Sequence, residues 1–159
     1  SQRSTLMLKL MPMDPNHFQQ YINFAVNDYA TEKIAAGTWT PETAQKNAQL
    51  AYDRLLPNGL ETPNNFFYSI FNDSEIIGYI WFGTDNENPS TAFIFDFEIY
   101  KAYQNRGFGS KTLDLVSRET KNMGYTSLGL HVFGNNSRAI HVYQKSGFNI
   151  TDIKMQKQL

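Results

Sequence analysis

Cysteine is absent from the 159 residues. No disulfide framework and no thiolate metal site is available, and that composition suits a reducing cytoplasm. A chain of this length can bury roughly two-thirds of its unfolded surface, so it needs no such staple. Charge of either sign is also scarce in the balance: 14 basic against 15 acidic residues leave a formal charge of −1. That excludes a basic nucleic-acid groove and an electrostatically held anionic membrane as partners. No apolar run approaches the ~20 residues of a membrane span, and no signal-peptide pattern is visible. His17, His131 and His141 form no metal-ligand spacing with any acid, so no metal is expected. There is no internal repeat and no low-complexity stretch. One domain over residues 1–159 is the simplest division.

The pattern that is present alternates in type. Leu6 to Leu10 reads as a first strand. Asp14-Pro15 opens a helix, with Phe18, Ile22, Ala25, Val26 and Tyr29 at helical spacing and Gly37 as its stop. Thr40-Pro41-Glu42 opens a second, carrying Ala44, Ala48, Ala51 and Leu55. Asn65 to Phe71 and Glu75 to Phe82 read as strands joined by the turn Asn72-Asp73-Ser74. Phe93 to Tyr100 is a central strand. A helix follows to about Met123, then a strand over Thr126 to Phe133, a helix over Asn136 to Lys145, and closing strands over Phe148 to Asp152 and Lys154 to Gln158. The order is β-α-α-β-β-β-α-β-α-β-β. This is an α/β (α+β) arrangement, a sheet flanked by helices.

Chemistry concentrates after the central strand. Gln104-Asn105-Arg106-Gly107-Phe108-Gly109 ends a strand and starts a helix. The first N–H groups of a helix lack intrahelical partners. Glycines let a ligand approach that backbone, and the helix dipole favours an anion there. Arg106 and Lys111 add charge. The reading is a pyrophosphate cradle, although glycines at such a turn also occur for the turn alone. A dinucleotide fingerprint fails because Thr112 stands where its third glycine belongs. A Walker loop fails because Ser110 follows Gly109 where lysine is needed. The spacing Q/R-x-x-G-x-G/A fits, and it resembles the coenzyme A loop of the GNAT N-acetyltransferase superfamily.

A second motif agrees. Asn136-Ser-Arg-Ala139-Ile-His-Val-Tyr143-Gln-Lys-Ser-Gly147-Phe148 is similar to that family's N-x-x-A-x-x-x-Y-x-x-x-G-F signature. Asn136, Ala139 and Tyr143 fall on one helix face. Taken alone, these residues read first as a cap and a half-buried core tyrosine; the upstream Gln104, Gly107 and Gly109 reverse that order. The resemblance spans nearly the whole chain and is sharpest from Phe93 to Phe148.

It implies the GNAT fold: a central, mixed, mostly antiparallel twisted sheet flanked by helices. It implies acetyl-CoA as co-substrate and direct transfer to a primary amine through a ternary complex. Donor-binding residues would be Ile99, Tyr100, Gln104, Asn105, Arg106, Gly107, Phe108, Gly109, Ser110, Asn136, Ala139 and Tyr143. Tyr143 would be the general acid. A backbone N–H near Ile99 or Tyr100 would face the developing oxyanion.

The general base is read from the residues rather than from the family. Phe93, Phe95, Phe97 and Ile99 are expected on one face of the strand, with Asp96 and Glu98 on the other. Two residues apart, the acids sit ~7 Å from each other, where burial and repulsion raise one pKa. They are equally readable as partners of neighbouring basic or phenolic groups. Glu98, nearer the strand end, is favoured. Tyr29, Trp39, Tyr68, Trp81 and Phe82 read first as core and second as an acceptor pocket. A small amine, polyamine, aminoglycoside, amino acid or protein N-terminus fits the acceptor role. The competing class is a non-catalytic acyl-CoA-binding or sensor module. Monomer and homodimer are equally compatible.

Overall fold

The computed structural model describes residues 7–159. Leu6, where the first strand was expected to start, lies outside them. The chain divides into two compact units, Pro12–Phe67 and the remainder.

The Pro12–Phe67 unit is built on two capped helices. In α1 (Pro15–Ala35) the Asp14 carboxylate accepts from the His17 N–H at 2.8 Å and Pro15 takes the first turn, where its missing N–H costs nothing. Helix α2 (Pro41–Leu55) starts after Thr40, whose hydroxyl lies 3.0 Å from that of Thr43. Small residues let the two helices close: Val26, Ala30, Ala44 and Ala48 are buried together, edged by Ile22, Tyr29, Trp39 and Tyr52. The Lys33 ammonium sits 5.5 Å from the Tyr29 ring and 5.8 Å from the Trp39 ring.

The other unit carries most of the sheet. Its strands are β1 (Leu8–Pro12), β2 (Asn65–Asn72), β3 (Glu75–Thr84), β4 (Thr91–Ile99) and β5 (Ser127–Leu130), in spatial order β1-β2-β3-β4-β5. β3 and β4 are antiparallel, β4 and β5 parallel, so the sheet is mixed as expected. Helix α3 (Phe108–Asn122) buries Phe108, Thr112, Leu113, Val116 and Thr120, one stripe at helical spacing. Helix α4 (Ser137–Lys145) follows β5 and buries no residue fully. No described helix is long and apolar enough to cross a membrane.

Three expectations are corrected. The closing strands at Phe148–Asp152 and Lys154–Gln158 do not form, and residues 148–159 carry no regular structure. Ile150, Ile153 and Met155 are 55%, 71% and 88% exposed. Alternating apolar residues make a strand only when a second backbone pairs with them. The strand expected over Thr126–Phe133 is shorter, because its register with β4 ends at Ile94 opposite Leu130.

The face assignment in β4 also changes. Trp81 pairs with Asp96 but Phe82 pairs with Ile94, leaving Phe95 as an extra residue in a β-bulge. The bulge resets the alternation. Phe93 therefore shares its face with Asp96, Glu98, Tyr79 and Trp81, while Ile94, Phe97 and Ile99 share the other. The Phe95 ring packs against Phe93 and Trp81 at 5.5 and 5.0 Å.

Gly78 shows how tightly β3 and β4 approach at the strand end. A Cβ there would lie 2.1 Å from the Glu98 carbonyl oxygen. Gly78→Ala should therefore force the strands apart and cost about 1–3 kcal/mol, read as a lower urea midpoint. Wild-type stability would contradict this packing.

Candidate functional site

The Tyr100 N–H donates to the Ile77 carbonyl at 2.8 Å. In an antiparallel ladder, hydrogen-bonded and non-hydrogen-bonded pairs alternate. The next pair, Gly78 with Ile99, is thus non-hydrogen-bonded, and the Ile99 N–H and C=O turn to the opposite edge of β4. Phe97, two residues earlier, turns the same way. That edge faces β5 only as far as Ile94. From Phe95 to Ile99 no β5 residue pairs with it among the described residues. Of the two N–H groups expected near an oxyanion, Tyr100's is committed to β3 and Ile99's is aimed at the opening.

The loop after β4 returns to that edge. The Gln104 side-chain amide donates to the Ile99 carbonyl at 2.8 Å. Ile99 and Phe108 are buried in one cluster with Ile70 and Ile77. Between them the chain turns through Asn105 (φ 63°) and Gly107 (φ 82°). Gly107 is the N-cap of α3 in the left-handed region, which disfavours a Cβ, and no side chain caps the helix. The first-turn bond is Lys111 N–H to the Gly107 carbonyl at 3.2 Å. The N–H groups of Phe108, Gly109 and Ser110 therefore precede any intrahelical acceptor. An added Cβ at Gly107 would meet nothing within 4 Å, and one at Gly109 would only touch Ile99 at 4.0 Å. The turn is open outward. It can bind an anion through main-chain donors at a positive helix end. The Arg106 guanidinium rests 5.0 Å from the Phe108 ring.

Helix α4 reaches the same turn. Asn136 caps it, accepting from the Ala139 N–H at 3.2 Å. Ala139 and Tyr143 are half-buried on the expected stripe. The Tyr143 ring meets Phe148 edge-on at 5.8 Å, and burial raises its phenol pKa, so it stays protonated through the neutral range. Arg138 Nη2 donates to the Asn105 Oδ1 in the loop. Ser146 Oγ lies 3.5 Å from Ser110 Oγ.

The two acids sit beside a phenol. Glu98 is exposed and accepts a hydrogen bond from the Tyr79 hydroxyl at 3.2 Å; Asp96 is half-buried. Tyr79 is buried, and its pKa is raised by burial and then by the charges of Asp96 and Glu98. Tyr100, 6.2 Å from the Tyr79 ring, is raised by burial and then by Glu98.

Comparison with known proteins settles the family. The profile of the acetyltransferase (GNAT) family matches residues 27–148. An uncharacterised N-acetyltransferase of Bacillus subtilis (strain 168), YycN, is 37% identical over 156 residues, 97% of this chain and all of that one. A second from the same strain, YdgE, is 34% identical over 152 residues, 94% of this chain and 97% of that one. The chain belongs to the acetyltransferase (GNAT) family. The crystal structure of B. subtilis YycN superposes with a TM-score of 0.80 over 96% of this chain and 99% of that one. The fold is also that of an N-acetyltransferase from Thermoplasma acidophilum solved with coenzyme A, at 20% identity and a TM-score of 0.64 over 92% of both chains.

In this GNAT chain three participants were not read from the sequence. Tyr79 and Gly78 meet β4 through a register that no local pattern encodes. Arg138 lies within the second motif, yet its contact with Asn105 spans two elements. Of the aromatics, Trp81 and Phe82 are buried, and Phe82 stacks on Tyr68 at 5.7 Å, the core role.

The phenols supply a test. Tyr68 donates to Glu119 at 3.1 Å, and burial first, then that carboxylate, pushes its pKa up to about 12. Unfolded tyrosine ionises near pH 10. The folded state thus keeps protons that the unfolded state loses. The stability contributed is full below pH about 10 and falls as pH rises through about 12. Urea midpoints should decline over that window, and Tyr68→Phe should decline less steeply. Identical slopes would contradict the burial of this phenol.

Proposed function

We propose that this GNAT protein is an acetyl-CoA-dependent N-acetyltransferase that passes the acetyl group directly to a primary amine within a ternary complex, in the cytoplasm. One observation carries the reading: β4 parts from β5 after Ile94 beside an uncapped helix start that opens outward at Gly107. The first feature suits a narrow arm laid along a strand edge, the second a diphosphate. Residues Gln104 to Ser110 would hold the donor's diphosphate end. Asn136, Ala139, Ile99, Tyr100 and Tyr143 would flank its arm. Acetyl-CoA would supply the acetyl group as a thioester, and coenzyme A would depart as the thiolate.

The chain's own groups divide the remaining work. Ile99's N–H donates to the carbonyl oxygen as it gains charge. Glu98 is the preferred general base: it is exposed, adjacent to Ile99, and held by Tyr79. It takes the proton from an amine that is mostly charged at neutral pH. Asp96, one pleat back, is the second acid. Tyr143 gives its proton to the departing sulfur, and its raised pKa keeps that proton in place. Holding donor and acceptor side by side supplies up to ~7–11 kcal/mol of the barrier reduction.

Thiol release on mixing with acetyl-CoA and a panel of amines tests the class. A protein that binds coenzyme A yet releases no thiol with any amine would be the non-catalytic acyl-CoA-binding module instead. Tyr143→Phe should lower kcat about 100-fold with little change in KM for acetyl-CoA. Glu98→Gln should lower kcat/KM about 100-fold across the pH profile, and Asp96→Asn should leave it. An unchanged profile in both variants would remove these acids from the base role.

A further inference from the structure

We propose that Arg138 is a phosphate-contacting residue of the acyl-donor site, set over the Gly107 turn by Asn105. The proposal rests on the coenzyme A reading above and adds a cation that the loop motif does not contain.

Arg138 stands on the first turn of α4, two residues after the cap Asn136. Its guanidinium bonds the Asn105 side chain, 33 positions away in sequence. Among the described residues this is its one hydrogen-bond partner. The partner is neutral, so it positions the guanidinium without cancelling its charge. Guanidinium carries five N–H donors in a planar fork, and Asn105 occupies one edge of it. The rest of the fork is available beside the turn, in the geometry that meets phosphate bidentately. An exposed neutral contact adds little to stability; its consequence is positional.

Neighbouring contacts place Arg138 at the loop. Asn105 is two residues from Gly107, so Arg138 is tied to the loop whose N–H groups are uncapped. At the other end of α4, Ser146 meets Ser110, which lies on the first turn of α3. Helix α4 thus touches the cradle at both ends. Arg106 approaches the turn from within the loop, parked on Phe108. Two guanidinium groups, from two elements, stand at the loop that leads into the Gly107 turn, in a chain whose net charge is −1.

Calorimetric titration with coenzyme A and with 3′-dephospho-coenzyme A tests this on wild type, Arg138→Gln, Arg138→Lys and Asn105→Ala. Arg138→Gln should bind coenzyme A roughly tenfold more weakly, as expected for loss of a charge-assisted contact. Arg138→Lys keeps charge but not the fork, and should fall between. Asn105→Ala should weaken binding in wild type and add no further loss to Arg138→Gln, which marks positioning through Arg138. An equal loss for both ligands places Arg138 on the diphosphate; a loss confined to coenzyme A places it on the ribose 3′-phosphate. In turnover, KM for acetyl-CoA should rise while kcat at saturation holds, a split that misfolding does not produce. If Arg138→Gln binds within twofold of wild type, Arg138 is not a donor-site residue. If wild type itself fails to bind coenzyme A, the underlying function is wrong instead.

Discussion

The end of β4 and the start of α3 are held as one piece, and the site depends on that. Ile99 and Phe108 bury their side chains in the same cluster. The Gln104 amide closes the intervening loop on the Ile99 carbonyl at 2.8 Å. With both side chains turned into the core, the backbone on either side of the loop is what remains outside. One N–H looks out from the strand edge and several from the helix start. Neither set can drift without breaking apolar packing, and packed interiors resist such shifts. The spacing between the strand-edge N–H of Ile99 and the uncapped start of α3 is therefore a property of the core.

The bulge at Phe95 complements this lock. Up to Ile94 the strand runs beside β5; past the bulge that edge stands open. A bulge bends its strand and increases local twist, and here it coincides with the last β5 pair. It also places Asp96 and Glu98 on the Tyr79 and Trp81 face. Gly78 then permits β3 to follow β4 closely at the far end, where any side chain would strike the Glu98 carbonyl. β4 is thus loosened on one edge and held tightly on the other, which keeps the opening on a single side.

Local rules made much of this legible before any coordinates. Asp14-Pro15 caps and starts α1 through interactions within three residues. Asn136 caps α4 three residues from its partner. What escaped is relational. The Tyr79–Glu98 bond depends on the β3–β4 register, and the face of Phe93 depends on one extra residue at position 95. Arg138 and Asn105 are joined only because α4 comes back to the loop. The closing strands fail for the same reason in reverse. Residues 148–158 alternate as strands do, but alternation describes one backbone and a ladder requires two.

Helix α4 differs in kind from the elements it serves. Helix α3 is anchored by five buried side chains, α4 by none. Its described ties to the neighbouring elements are polar: Arg138 to Asn105 and Ser146 to Ser110. Segments with few buried apolar contacts sit at the low end of local stability. Tyr143 rides on this helix, steadied by Phe148 from beyond its own C-terminus. Whatever fixes the loop therefore also fixes α4, since both ties end on the cradle. In the proposed reaction the acid would be positioned through the same contacts that grip the donor. A phosphate spanning the Gly107 turn and Arg138 would add a third tie, made only when the donor is bound. That tie would act on the bound donor and on the transition state alike, so it would serve affinity for the donor rather than kcat.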